Sequence, residues 1–374
     1  MNSFEPSRRQ FLSLAAGGVG VVSLSALLTA CGSTGAGTST SNSAAAVPTD
    51  VSKNWPKLTS KQVVVAGFGG ETYQIRQNID FDPFTKLSGV NVVQASWDYG
   101  KFLAMVNAAN ADWDMIDFDG YSTVGLIDAG TPPAKLANWV RRCDLVDKAY
   151  QDYAAGSYAY SVVMGWSKSL DQTPANWADF FNTAKFPGKR AFPKTIYAGT
   201  AEIALLADGV SKDKIYPLDF DRAFAKLDTI KKDLVFYDSY AQGQQYMVQG
   251  SASMIATANS RMIELQSNGQ DVDFTYQDAI LYPWGAFAMP EHGPDPDAAN
   301  ALIDFLSTPQ QQAAVAKNLF LGPTVSAAFG LLSDDEKSKQ PNSDENKAKA
   351  LTINTTVAAK QDAEYVKRFT AWLG

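Results

Sequence analysis

The sequence predicts an α/β fold large enough for two domains, and three observations carry that expectation. The chain has 374 residues, 45% of them hydrophobic and 19% charged, which is enough apolar material for two cores in a globular protein. Short valine-rich runs alternate with segments of helical period, and glycine or proline marks many of the junctions. No internal repeat is visible, so the alternation reads as sheets flanked by helices rather than as a stacked array.

Ser7-Arg8-Arg9-Gln10-Phe11-Leu12 has the twin-arginine form S-R-R-x-F-L, and an apolar run rich in glycine and alanine follows to Leu28. Leu28-Thr29-Ala30-Cys31 then looks like a lipobox. A charged start, a short apolar run and small residues before the cut describe a cleaved export signal over residues 1–30. Serine and glycine interrupt the run, which argues against a membrane-spanning helix. Cys31 becomes the first mature residue and the lipid anchor; the alternative is a twin-arginine signal with an incidental cysteine. Residues 31–58 form a tether, almost uncharged over Gly32–Thr49. The mature protein is thus expected in the periplasm, touching the cell membrane through its N-terminal lipid only. Cys143 is left alone, and its neighbours Trp139–Leu145 suggest a small buried hydrophobe.

Gln62–Gly67 reads as a strand around Val63-Val64-Val65, Phe68-Gly69-Gly70-Glu71 as a turn, and Thr72–Leu87 as a helix. A glycine turn entering a helix leaves backbone N–H groups free for a ligand, although neither phosphate-loop spacing is present. Gly89–Val93 begins the next strand and Lys101–Ala109 is helical. Trp113–Gly120 is a short strand ending in a turn; its acids Asp112, Asp114, Asp117 and Asp119 lack the spacing of a calcium loop. After the loop Phe186–Arg190 come an apolar helix, a turn at Gly209 and an amphipathic helix. Phe220, Ala223, Phe224, Leu227, Ile230 and Leu234 form the apolar face of that second helix. Phe236–Tyr240 leads into another helix, Ser253–Asn259 is a strand, and Ser260-Arg261 opens the helix after it. Asp297–Phe305 and Pro309–Leu319 are helical, Gly330–Lys347 is a loop with a surface helix, and Glu364–Leu373 closes the chain as a helix.

The wording of these segments says more than their period. W-x-D-F-F from Trp177, F-P-G-K-R from Phe186, A-L-L-A-D-G-V from Ala204 and Y-P-L-D-x-D-R-A-F from Tyr216 stand in one order. Together they resemble the second lobe of ABC-transporter substrate-binding proteins of the polyamine (spermidine/putrescine) type. G-F-G-G at Gly67–Gly70 and P-F-T-K-L-S-G-V-x-V from Pro83 are similar to the first unit of that family, and A-L-I-D-F-L-S-T-P-x-x-Q from Ala301 to its penultimate helices. The resemblance implies a two-lobed periplasmic-binding-protein fold of type II. Lobe one would take 59–158 and 286–330, and lobe two 159–285 and 331–374, with crossings near Tyr153–Trp166 and Tyr282–Pro290. It implies a small organic solute captured in a cleft by hinge closure, an ABC permease and its ATPase as partners, a monomer, and no cofactor or metal. A receptor that delivers its ligand to a sensor is the alternative to import.

In this family the W-D-x-x-D segment ends at the cleft, which makes Asp119, Gly120 and Tyr121 contacts. Phe68, Tyr121, Tyr160, Tyr197, Tyr240 and Trp284 are candidate rings of a cage for an organic cation, and Gly69 and Gly70 offer amides. Core packing is the alternative for each ring. The return crossing departs from the family: the acid expected in W-x-D-x-x-x-I-P falls on Gly285 or Ala286. Arg261, within A-N-S-R, is similar to the N-G-R of one branch and offers a planar donor fork, with a structural ion pair as the alternative. Two solute classes stay open: a polyamine-like or other amine-containing solute, and a carboxylate-bearing amine or amino-acid derivative anchored by Arg261. Catalysis is not expected. His292 is the single histidine, in the loop-like Pro290–Pro294, and no G-x-S-x-G elbow occurs. A net charge of −7 without a basic aromatic patch excludes nucleic acid.

Overall fold

The computed structural model describes residues 50–374, so the twin-arginine segment, Cys31 and most of the tether lie outside the described residues. The described residues open with a 3-10 turn at Val51–Asn54. Val51 is buried in the first lobe's core and Trp55 Nε1 donates to Asp304 Oδ2 at 2.8 Å. The tether expected to reach residue 58 therefore stops short of Val51, because an apolar residue and an indole find partners on a lobe-one helix.

Strand β1 (Gln62–Gly67) leads to α1 (Gly70–Arg76), which runs through a π-turn at Gln77–Phe81 into α2 (Asp82–Ser88). Then follow β2 (Asn91–Ser96), α3 (Tyr99–Ala108), β3 (Met115–Asp119), α4 (Gly120–Asp128) and β4 (Ala154–Gly156). β5 (Tyr160–Ser167) crosses into the second lobe, which continues with α5 (Trp177–Phe181), β6 (Arg190–Pro193), α6 (Thr200–Ala207) and α7 (Phe220–Asp228). β7 (Leu234–Tyr237), α8 (Tyr240–Val248), β8 (Met254–Ala258), α9 (Asn259–Ser267) and β9 (Val272–Tyr282) follow. β10 (Gly285–Ala288) returns to the first lobe, ahead of α10 (Pro296–Leu306) and α11 (Pro309–Leu319). The chain ends with α12 (Asp334–Ser338), α13 (Asp344–Lys349), β11 (Leu351–Thr352) and the long α14 (Thr355–Leu373). Among these elements no helix is long and apolar enough to cross a membrane.

Two mixed sheets result, with strand orders β2-β1-β3-β10-β4 and β11-β9-β5-β8-β6-β7. In the first, β1, β2 and β3 are parallel and β10 runs antiparallel between β3 and β4. In the second, β5 lies antiparallel between β8 and β9. β5 and β9 thus enter and leave the second lobe side by side, and they bring Tyr160 opposite Tyr282 at the crossing.

Local chemistry sets most helix starts. Asp98, Asp219, Ser239, Thr308 and Asn354 each accept a backbone N–H from the first turn, and Ser333 with Glu336 forms a reciprocal capping box. Gly89 ends α2 at φ 75°, a left-handed conformation that favours glycine. The F-P-G-K-R loop is an arginine trap: Arg190 is fully buried and donates to the carbonyls of Phe180, Gly188 and Phe186 at 2.6–2.7 Å. Two expected helices change length. The face starting at Phe220 is helical only to Asp228; Ile230 and Leu234 are buried from a turn and from β7. The terminal helix begins nine residues earlier than its apolar face, at Thr355, where Asn354 caps it.

Each lobe has its own core. Phe81, Phe84, Trp113, Phe118 and Phe287 centre the first, and Trp177, Phe180, Phe192 and Phe224 the second, with Tyr365, Phe369 and Trp372 of α14 packed into the second. The first half of α14 touches the other lobe: Thr356 Oγ1 lies 3.3 Å from Tyr150 Oη, and α4 packs along it.

Candidate ligand site between the lobes

The acids along and just before β3 separate by side. Asp114 accepts the backbone N–H of Val64 at 2.7 Å and of Asp295 at 2.6 Å, fastening β1 and the start of α10. Asp117 is fully buried and takes Arg76 Nη1 at 3.0 Å and the Tyr73 hydroxyl at 2.9 Å; Arg76 Nε meanwhile holds Asp80 at 2.8 Å. Asp119, on the same face two residues later, has no arginine. Burial pushes its carboxyl up to about 7, the charge of Asp117 and then that of Asp362 push in the same direction, and the Tyr160 hydroxyl pulls back. A carboxylate in that state favours any cation that approaches.

The cross-strand partner of Asp119 is Gly285. Side chains of directly paired residues share a sheet face with Cβ atoms about 5 Å apart. The acid missing from the return crossing is therefore matched by one on the neighbouring strand. A side chain at Gly285 would meet Ser157 Oγ at 2.5 Å, which explains the glycine.

Across the cleft, Arg261 stands on the first turn of α9. Its Nη1 pairs with Glu264 Oε2 at 3.0 Å and its Nη2 donates to Thr72 Oγ1 of the first lobe at 3.3 Å. Its guanidinium lies 5.4 Å from the centre of the Tyr240 ring. Nε is buried without a hydrogen-bond partner. The ion-pair reading of Arg261 is thus real but incomplete, since one donor of the fork is left over. The Tyr240 phenol is raised by burial, lowered by Arg261 and raised again by Asp119, so both charges act on one ring. Tyr160 and Tyr282 stack beside them, with centroids 4.5 Å apart and planes 3° apart.

The other expected residues divide. Gly69 and Gly70 form the turn before Thr72, both at φ 68°, and Phe68 stands there 54% exposed. Tyr121, two residues beyond Asp119, is buried within the second lobe's core cluster, 6.4 Å from Tyr282. Tyr197 sits in the turn Ile196–Ala198 ahead of α6, and its side chain lies outside the described residues. Trp284 is not a cage wall: it is 4% exposed in the first lobe's core and stacks on Tyr150 at 6.2 Å. Gly120 is likewise a packing requirement, because a Cβ there would lie 2.5 Å from the Trp284 carbonyl and 2.7 Å from its ring.

Two acids escaped the sequence reading. Glu202 of α6 and Asp362 of α14 line a cavity beside Tyr282 and Tyr121. Glu202 sits in an apolar helix, where a buried acid leaves no periodic signature, and Asp362 lies 160 residues away. Among the described residues no group of three histidine, cysteine or acidic side chains could hold a metal ion.

A family profile described as bacterial extracellular solute-binding protein matches residues 81–346. The gamma-aminobutyric acid-binding protein of Pseudomonas aeruginosa is 29% identical over 325 residues, 84% of this chain and 91% of that protein. A solved GABA receptor is 33% identical with a TM-score of 0.75, over 84% of this chain and 98% of the other. An ABC transporter substrate-binding protein from Bradyrhizobium japonicum is 26% identical with a TM-score of 0.77, over 84% of this chain and all of the other.

Proposed function

The chain belongs to the bacterial extracellular solute-binding protein family, and from that premise we propose that it captures a small amino acid with separated amine and carboxylate and presents it to an ABC permease. One arrangement carries the reading: a carboxylate without a cation, Asp119, and an arginine with a spare donor, Arg261, on opposite lobes and both acting on Tyr240. Arg261 takes the solute carboxylate in its fork. Asp119 takes the ammonium, with Tyr160 beside it. Closure joins the lobes along Arg261–Thr72 and α4–α14. The gamma-aminobutyric acid-binding relative supports a solute of this kind over spermidine or putrescine. It also favours a binding receptor over an enzyme.

Thermal unfolding of the protein against 4-aminobutanoate, alanine, betaine and spermidine tests this. A solute at a hundred times its dissociation constant adds about 2.7 kcal/mol of stability. A shift with 4-aminobutanoate that Arg261→Ala removes is expected; a shift with spermidine alone, unaffected by Arg261→Ala, overturns the carboxylate assignment.

The twin-arginine motif and Leu28–Cys31 support export and a lipid on Cys31 in the same reading. Mass spectrometry of the mature N-terminus checks it. A diacylated Cys31 is expected, and a free N-terminus elsewhere rejects the anchor.

A further inference from the structure

We propose that the cavity between α4, α6 and α14 is a second ammonium subsite, so that the preferred solute carries two amino groups as well as a carboxylate. The proposal rests on the amino-acid reading of the main cleft and narrows it. The cavity is lined by Glu202, Asp362 and the rings of Tyr121, Tyr282 and Tyr365. Glu202 is 2% exposed; its Oε1 accepts the Tyr216 hydroxyl at 2.9 Å, while Oε2 is buried with no hydrogen-bond partner. Leaving a buried carboxylate oxygen unpartnered is costly. Asp362, on the face of α14 that meets this cavity, is raised by burial alone, Glu202 is raised by burial against its hydrogen bonds, and no cation acts on either acid. Two carboxylates without a counter-charge, walled by aromatic rings, make a place for a cation.

Size narrows the cation. The cavity is small, with about 20 Å³ open to the centres of water-sized groups. A primary ammonium is the most compact organic cation for so small a space. Position narrows it further. Tyr282 separates the cavity from the Asp119 side through its stack with Tyr160, and Tyr121 follows Asp119 by two residues. The field of Asp119 reaches Tyr282, and that of Asp362 reaches Asp119. The two carboxylate positions therefore flank one pair of rings, as the two amino groups of a short diamine would require.

Titration calorimetry of the protein with 4-aminobutanoate, ornithine and putrescine tests the proposal, with Glu202→Gln, Asp362→Asn and Arg261→Ala alongside. Ornithine is expected to bind about tenfold or more tighter than 4-aminobutanoate, and Glu202→Gln to bring that ratio near one. Asp362→Asn, on the more open wall, gives the same readout if Glu202→Gln does not fold. A ratio already near one, or one that neither variant changes, overturns the subsite and leaves a cavity that holds only water; the amino-acid reading then stands. Putrescine binding lost in Glu202→Gln but untouched by Arg261→Ala keeps the subsite and rejects the carboxylate anchor. Absence of binding by all three solutes overturns both readings.

Discussion

Asp117 and Asp119 leave the same strand on the same face, yet they have opposite surroundings. Asp117 is neutralised by Arg76 and Tyr73 in a buried network that also holds Asp80. Asp119 is partly buried, feels the repulsion of Asp117, and finds only a tyrosine. Where a buried arginine stands against the acid, as Arg76 does against Asp117 Oδ2, the group serves the fold. Where one is left over at a lobe boundary, as with Asp119, the proposed solute would complete it. The two arginines repeat the contrast: Arg190 spends its donors on carbonyls, while Arg261 keeps one in reserve.

The contrast can be broken by mutation. Asp117→Ala is expected to have the largest effect, lowering stability by about 3–5 kcal/mol in urea unfolding, because Arg76 is left buried with half its counter-charge. Asp119→Asn should not lower stability, and instead cost about 2–5 kcal/mol of affinity for 4-aminobutanoate by calorimetry. Equal losses of stability in the two variants would erase the distinction. Acidity sharpens it. Burial and then the charge of Asp117 push the Asp119 carboxyl up to about 7, from 3.8 for the free side chain. Between those values the folded state keeps a proton that the unfolded state has lost, so this group lowers stability as pH rises from about 4 to 7 and adds no slope above that. Urea midpoints of Asp119→Asn should therefore improve relative to the parent across that window. Ammonium binding runs the other way, since it needs the ionised acid: affinity falls by up to about tenfold per unit below pH 7, and the variant's profile is flat. Asp112→Ala marks the lower end. Its exposed pair with Lys101 at 3.4 Å is worth within about 0.5 kcal/mol, read by the same urea assay.

Much of the proposed site could be nominated from sequence because its residues sit where strands end. The glycine turn after β1, the acids at the end of β3 and Arg261 after β8 were all marked by strand-to-helix junctions in the sequence. Trp284 misled because an aromatic beside a crossing segment reads the same whether it faces the cleft or the core; Gly120, beneath it, decides for the core. Glu202 and Asp362 were invisible for the reason given by their contexts: one is an acid in an apolar helix, the other a polar residue in the half of α14 that has no apolar stripe.

By itself the sequence determined the alternation of strands and helices, the caps that start the helices, the family wording of the second lobe and the absence of a catalytic histidine pair. These depend on residues within a few positions of one another, where backbone preference and side-chain period act directly. Only the tertiary structure decided that Asp119 faces Gly285, that Arg76 silences Asp117, and that α6 and α14 close two acids around one cavity. Those meetings join residues 41 positions apart and more. They follow from how sheets and helices pack, which no local pattern records.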